Sequence, residues 1–377
     1  MTLPPAVPDS SPLGSPPPPR EVSLQIAPRA RFDVIDIRQR IAERHGNALQ
    51  GYPRTLYFSF HTTAGYLEQG LAARLATSRE GAEAPAGGIE PYFTLFQTLF
   101  PADAGYRHDE IENRDELTEA QKLSEPKNAD SHLTFISAGL RSCVTYQNRR
   151  ETPVYFIDLD GVNGEVPRQR LTTAVGFTSE VVVARERMQV PVSAHPVDSV
   201  NLKDPGLGFY EQLNQLIARH GIAKGRVKLA LAASERRAGL TVNEYETLLM
   251  QHDLREVLKN PLKYMVEKAS NALADPRAIP NRAVEYAKYD LVRVLNQTFE
   301  HFGWNESFLE RVTSRFMAIP AERFLRLKRS LSLLVSDRDH DGRGEIQQGV
   351  YQSPILVQWE KSAEPTRSID VTLTRFV

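Results

Sequence analysis

Residues 191–208 read PVSAHPVDSVNLKDPGLG, a stretch in which prolines and glycines replace any apolar period. Proline lacks a backbone donor and fixes its own φ, so neither a helix nor an inner strand is expected to run through such a segment. It divides a chain of 377 residues, longer than one hydrophobic core usually extends, and two domains are therefore predicted around a linker at 191–208. Before the break, residues 21–190 mix both periodicities. EVSLQIAP alternates apolar and polar residues as a half-buried strand does, and FDVIDIRQRIAERHG has the spacing of an amphipathic helix. TLYFSFHTTAGY is aromatic and β-branched and reads as an inner strand with His61 near its end, and PYFTLFQTLFP reads as a helix after a loop at 78–91. HLTFISAGL, TPVYFIDLD and RLTTAVGFTSEVVVARE read as three more strands, and residues 103–130 as a long charged loop or lid. The first domain is thus α/β (α+β) with a mostly antiparallel sheet.

After the break the apolar residues recur at three and four. FYEQLNQLIARHG, GRVKLALAASERR, TVNEYETLLMQHDLREVLKN, LKYMVEKASNAL, AVEYAKYDLVRVLNQTFEHFG, ESFLERVTSRFMAI and AERFLRLKRSLSLLVS predict a mainly α domain over 209–336. Thr241 and Glu244 are spaced as a capping box, and Gly221 and Gly303 as helix stops. SPILVQWEK and SIDVTLTRFV within 337–377 return to strand character, either as a hairpin or as additions to a sheet elsewhere. The opening 20 residues, rich in Pro and Ser, predict a disordered tail.

Composition narrows the partners. Lys+Arg number 46 and Asp+Glu 47, a net charge of −1, so no global field draws the chain to nucleic acid or to an anionic membrane. No apolar run approaches the ~18 residues of a membrane span, and no secretory signal opens the chain. The single cysteine, Cys143, excludes an internal disulfide framework and fits a cytoplasmic protein. Arg323, Arg326, Lys328 and Arg329 cluster either as a basic face for an acidic partner or as a solvated helix surface.

Three histidines stand where chemistry is conceivable. His61 follows an apolar strand, His108 adjoins Asp109, and His132 lies two residues after Asp130. A neighbouring carboxylate orients an imidazole and raises its basicity, although each group taken alone is a common structural histidine. DRDHDGRGEIQQ, residues 337–348, supplies Asp337, Asp339, Asp341 and Gly342 of a calcium loop, but Gln348 stands where a bidentate Glu is needed. An acidic turn is the better reading of that segment, with weak Ca²⁺ binding the alternative.

HTTAG, a helix ending LFP, GYRHD, NADSHLTFISAGLRSCV and EVPRQRLTTAV occur in that order over about residues 20–185. In that order they resemble the small trimeric YjbQ-like proteins, the secondary thiamine-phosphate synthase enzyme family. The resemblance implies a homotrimer, an active site at His61, His108 and His132 with Glu68 as an acidic residue, and a small phosphorylated substrate. It also implies that the three imidazoles hold a divalent metal such as zinc or bind an anion, with Thr62, Thr63, Arg168 and Arg170 placed for substrate oxygens. The family's Gly-Thr-Trp-Gln motif is replaced here by TPVYFID, and the C-terminal extension is unlike the family. That departure supports the rival reading, a non-catalytic binding or scaffold protein that keeps the fold and recruits a partner through its second half.

Overall fold

The computed structural model describes residues 16–77, 88–115, 117–148, 153–164, 166–259, 264, 267–268, 325–339 and 341–377. The expectations for residues 1–15, for 78–87 and for most of 260–324, including Gly303 and Arg323, lie outside these.

In the first half, β1 (Arg20–Ile26), β2 (Asp33–Asp36), α1 (Ile37–His45), β3 (Arg54–Ser59) and β4 (Ala64–Tyr66) lead into α2 (Gln69–Thr77), α3 (Ile89–Leu99), α4 (Glu119–Lys122) and α5 (Ala129–Ala138). Next come β5 (Cys143–Gln147), β6 (Tyr155–Asp158), the small hairpin of β7 (Val162–Asn163) and β8 (Val166–Pro167), and β9 (Arg170–Phe177). The strands form a four-stranded sheet, β1-β9-β3-β5, and a three-stranded sheet, β2-β6-β4, antiparallel throughout. Alternation makes β1: Val22, Leu24 and Ile26 are buried while the residues between them face outward. α1 starts where the Asp36 carboxylate accepts the Gln39 N–H at 3.1 Å. It buries Ile37 and Ile41 on one side.

The second half repeats this plan. β10 (Glu180–Pro191), β11 (Asp198–Asn201), α6 (Phe209–Arg219), β12 (Lys224–Leu231), β13 (Ala238–Asn243), a π-helical stretch (Leu248–Asp253) continuing as α7 (Leu254–Lys259), β14 (Ser330–Ser336), β15 (Glu345–Ile346), β16 (Ser353–Gln358) and β17 (Thr366–Phe376) complete it. Their sheets are ordered β10-β17-β12-β14-β15 and β11-β16-β13, so β10, β17, β12 and β14 stand where β1, β9, β3 and β5 stand in the first half, and β11, β16 and β13 where β2, β6 and β4 stand. The registers agree residue by residue. Asp33 and Ala64 flank Asp158 as Asp198 and Ala238 flank Gln358. Tyr66 bridges Arg141 as Leu240 bridges Lys328. The chain is a tandem repeat of one topology, and its terminal strands β16 and β17 enter two different sheets.

This corrects the mainly α reading of the second half. Of the segments read there as helices, FYEQLNQLIARHG is α6, stopped by Gly221 at φ 56°. GRVKLAL is instead β12, in which Val227, Leu229 and Leu231 are buried and alternate with more exposed neighbours. SLSLLVS is β14, and Thr241 lies inside β13, so no capping box forms with Glu244. Short apolar runs satisfy both periods, and the choice falls to the sheet that needs the backbone donors. The opposite error concerns HLTFISAGL, read as a strand: it belongs to α5, all ten of whose residues are buried. A helix covered on every face has no polar stripe to reveal its turn.

One apolar core crosses the repeats, joining Phe93, Phe135 and Phe156 of the first to Leu249, Leu254 and Ile355 of the second. A seam core places Leu56, Phe58 and Val175 against Leu334 and Phe376, with the Phe177 and Phe376 rings stacked at 4.2 Å. At equivalent positions Gly65 and Gly239 let a second chain segment pass close. A methyl group on Gly65 would lie 2.6 Å from the Arg141 carbonyl oxygen, and one on Gly239 2.5 Å from Leu327 Cβ. Gly65→Ala is expected to lower stability by about 1–3 kcal/mol in urea unfolding through overpacking, whereas Gly51→Ala, with nothing within 4 Å of its Cβ, should leave the midpoint nearly unchanged.

Candidate metal centre

α5 carries His132 into the middle of the molecule, where its ring is fully buried. His132 Nδ1 lies 2.7 Å from Asn243 Oδ1 at the end of β13. The same oxygen accepts the Glu244 N–H at 2.8 Å, which fixes the amide orientation and makes His132 Nδ1 the donor. His132 Nε2 therefore keeps its lone pair. His108, also fully buried, sits in the irregular segment before α4. Its own N–H and that of Arg107 donate to the two carboxylate oxygens of Asp253, at 3.0 and 3.1 Å, so the second repeat holds this turn in place. His108 Nδ1 pairs with Asp109 Oδ1 at 3.1 Å, and Asp109 is itself anchored by the Ala129 N–H.

The two imidazoles face each other with centroids 5.1 Å apart, and the Nε2 atom of each is buried without a hydrogen-bond partner. Glu244 completes the group: its Oε2 lies 3.4 Å from His132 Nε2, and one donor atom each from His108, His132 and Glu244 fall within 4.8 Å of one another. Glu244 Oε1 accepts from Arg114 Nη2 at 3.1 Å, and Arg114, 1% exposed, turns its other nitrogen to Glu125 Oε1 at 3.0 Å.

Electrostatics suit the arrangement. Burial, reinforced by His108, pushes His132 well below the ordinary imidazole range, so it stays neutral. Burial works against a charged His108 as well, but the hydrogen bond to Asp109 and the nearness of Glu244 more than offset it and raise its pKa. Burial raises Glu244, against the pull of His108 and Arg114. Two bare imidazole nitrogens beside a carboxylate, with each Nδ1 tied to an outer partner, is a donor set for a divalent transition metal such as zinc or iron. Among the described residues this is the one such cluster of histidine, cysteine and acidic groups.

The expected residues divide sharply. His108 and His132 meet; His61 does not join them. Its Nε2 accepts the Leu171 N–H at 2.7 Å, and burial together with Arg170 and Arg168 lowers its pKa to about 3. At the equivalent place in the second repeat Glu235 Oε1 accepts the Ser368 N–H at 2.8 Å, so this acceptor serves the sheet. Arg170 is likewise a fold element: buried, it donates to both Asp158 oxygens at 2.7 Å, to the Asp160 carbonyl at 2.5 Å and to Thr63 Oγ1 at 3.3 Å. Arg367 repeats the pattern on Gln358 Oε1 and the Glu360 carbonyl. Thr62 is buried beside Thr63. Arg168, one third exposed, pairs with Asp160, which Asn128 also contacts at 2.8 Å. Glu68 is exposed and pairs with Arg141 at 2.6 Å.

Asp337 caps its own turn, accepting the Asp341 and Gly342 N–H groups, and strand β15 follows where a calcium loop needs a helix; Asp339 lies in the same bend. The residues missed by the sequence reading are Asn243, Glu244, Asp253 and Arg114. Asn243 is 111 positions from His132, and nothing local marks it.

His61 sets a pH signature. Its folded pKa lies below that of the unfolded chain, so as pH falls below about 6.5 the unfolded state takes the proton first and stability is lost toward pH 3. Asp130 and Asp253, both raised to about 6 by burial, act in the opposite sense. His61→Gln keeps an acceptor for Leu171 and is expected to gain about 1–2 kcal/mol relative to wild type between pH 7 and pH 5 in urea unfolding. A gap independent of pH would contradict the neutral buried ring.

No protein-family description matches the chain, and no curated protein does. Solved structures do align with part of it. A YbjQ-like protein of unknown function from Sulfolobus solfataricus P2 is 16% identical over 52% of this chain and 99% of that one, with a TM-score of 0.27. A hypothetical protein from Aeropyrum pernix K1 is 13% identical over 51% and 98%, also at 0.27. An uncharacterised conserved protein of the YjbQ family from Clostridium acetobutylicum is 10% identical over 50% and 98%, at 0.23. Two of these three, each matching about half of this chain, are described as YbjQ-like or of the YjbQ family, and none of the three is described with an activity or a substrate.

Proposed function

We propose that this protein is a metal-dependent enzyme acting on a small phosphorylated metabolite, with its ion held by His108, His132 and Glu244. The reading is carried by two fully buried imidazoles whose Nδ1 atoms are both tied and whose Nε2 atoms are both bare beside a carboxylate. Leaving two such acceptors unpaired in a dry interior costs about 1–3 kcal/mol each, and a bound cation removes that cost. Glu244 and Asp109 together offset the charge of a divalent ion.

Three protein donors leave further coordination positions for water or substrate, and an ion so placed polarises a phosphoryl oxygen or acidifies a bound water. The protein's own groups supply the rest. Arg114 orients Glu244, Asn243 fixes the tautomer of His132, and Arg168 is exposed enough to meet an incoming phosphate while lying near enough to depress His132. The complete burial of both imidazoles favours a second reading, in which the ion only joins the two repeats.

Untagged protein is expected to contain about one equivalent of a transition metal per chain by elemental analysis. Asn243→Ala should weaken metal affinity about 10–100-fold, Glu244→Ala should abolish stoichiometric binding, and His61→Gln should leave it unchanged. Metal bound equally by wild type and Glu244→Ala would refute the site. A metal-loaded protein that shows no metal-dependent turnover or binding across phosphorylated metabolites would support the joining role instead.

A further inference from the structure

Away from the histidines, the seam between the repeats gathers positive charge with little to balance it. Arg141 and Lys328 occupy equivalent positions in the two repeats, bridging Tyr66 of β4 and Leu240 of β13, and the packing of β5 beside β14 brings them to one place. Arg326 joins them. A methyl group on Gly139, at the end of α5, would lie 2.7 Å from Lys328 Nζ and 3.3 Å from Arg326 Cδ, so both side chains hang over that helix end.

The partners are few. Arg141 pairs with Glu68, itself 58% exposed, and donates to the Ser330 carbonyl, while its Nε is buried with no partner. Arg326 donates to the Tyr92 hydroxyl, a neutral acceptor. Lys328 Nζ has no hydrogen bond or ion pair among the described residues. Three cations thus face one exposed carboxylate and the roughly half charge of a helix C-terminus. Burial, then Arg141 and Arg326, lower the Lys328 pKa to about 8, as crowding of like charges requires. The same three residues line a recess of about 20 Å³, the size of one oxygen centre, together with the hydroxyl-bearing Ser142, Thr241 and Ser332 and an apolar wall that includes Phe135 and Leu240.

We propose that this seam is an oxyanion site, in which Arg141, Arg326 and Lys328 bind a phosphate group with one of its oxygens in the recess. Paired guanidinium and ammonium donors around hydroxyls suit a tetrahedral dianion, and binding would tie the two repeats together across the segments that lead into β5 and β14. The site stands apart from the histidine cluster and does not depend on the metal reading.

The test uses the full chain in chloride buffer at matched ionic strength, titrated calorimetrically with inorganic phosphate and, separately, with glycerol 3-phosphate. Wild type is expected to bind saturably with a rise in Tm. Lys328→Met should weaken binding at least tenfold and, by removing a crowded charge, should melt no lower than wild type in phosphate-free buffer. Asn243→Ala, which alters the histidine site, should bind as wild type does. Tighter binding of the ester identifies a metabolite phosphate, and equal binding free phosphate. No saturable binding by wild type at 10 mM of either probe, or undiminished binding by a Lys328→Met protein with native circular dichroism, would overturn the proposal.

Discussion

Everything distinctive in this molecule follows from burying one helix on all sides. α5 contributes no residue to the surface, so its outward-facing positions must be covered by something other than its own sheet. The second repeat provides that cover: β13 and the π-helical turn after it close over α5 and the His108 turn, and the apolar core runs through both repeats without a break. Polar groups enclosed this way must be satisfied from whichever chain segment is nearest, because water is excluded. Asn243 and Asp253 answer that demand for His132 and for the backbone around His108. The two imidazole Nε2 atoms are left without a hydrogen-bond partner, which is what recommends them as candidate ligands.

The tandem repeat also separates fold from function within one chain. A feature present at the same register in both copies serves the shared architecture. The inward arginine is such a feature, as Arg170 and Arg367 reach equivalent side chains and carbonyls. So is the acceptor of the β9 or β17 backbone, a histidine in one copy and a glutamate in the other. A side-chain role filled by two different residue types needs only an acceptor, so this contact by itself asks no special chemistry of His61. By contrast, Asp158 becomes Gln358, so in the second copy the charged Arg367 donates to a neutral amide there and takes its carboxylate from Glu235 instead, at 2.9 Å. A buried guanidinium left without a carboxylate is costly, so the fold supplies one in both copies, from Asp158 in the first and from Glu235 in the second.

Much of the first repeat was legible. The alternation in EVSLQIAP and the aromatic and β-branched run around Phe58 each point to a single local structure, and each forms it, whereas the helix read over FDVIDIRQRIAERHG begins only at Ile37, because Asp33–Asp36 pair as β2. The second repeat was misread because its strands carry Lys and Arg between leucines, as in GRVKLAL and LKRSLSLL, a pattern that a helix face and a strand edge share. Pairing with β17 and β14 decided the matter for β12, since only a strand satisfies donors on both sides. Two of the three candidate histidines proved to be neighbours, and the third ligand candidate came from a segment with no recognisable motif.

The sequence by itself determined the residue types available for chemistry: histidines beside carboxylates, a single cysteine, a balanced charge, and periodicities that place strands in both halves. Only the tertiary structure decided which of those residues meet. Glu244 reaches His132 because β13 ends over α5, and Lys328 reaches Arg141 because β14 lies beside β5. Neither contact leaves a trace in local spacing, because contacts across a repeat seam are set by how two finished sheets pack and not by the turn of any one segment.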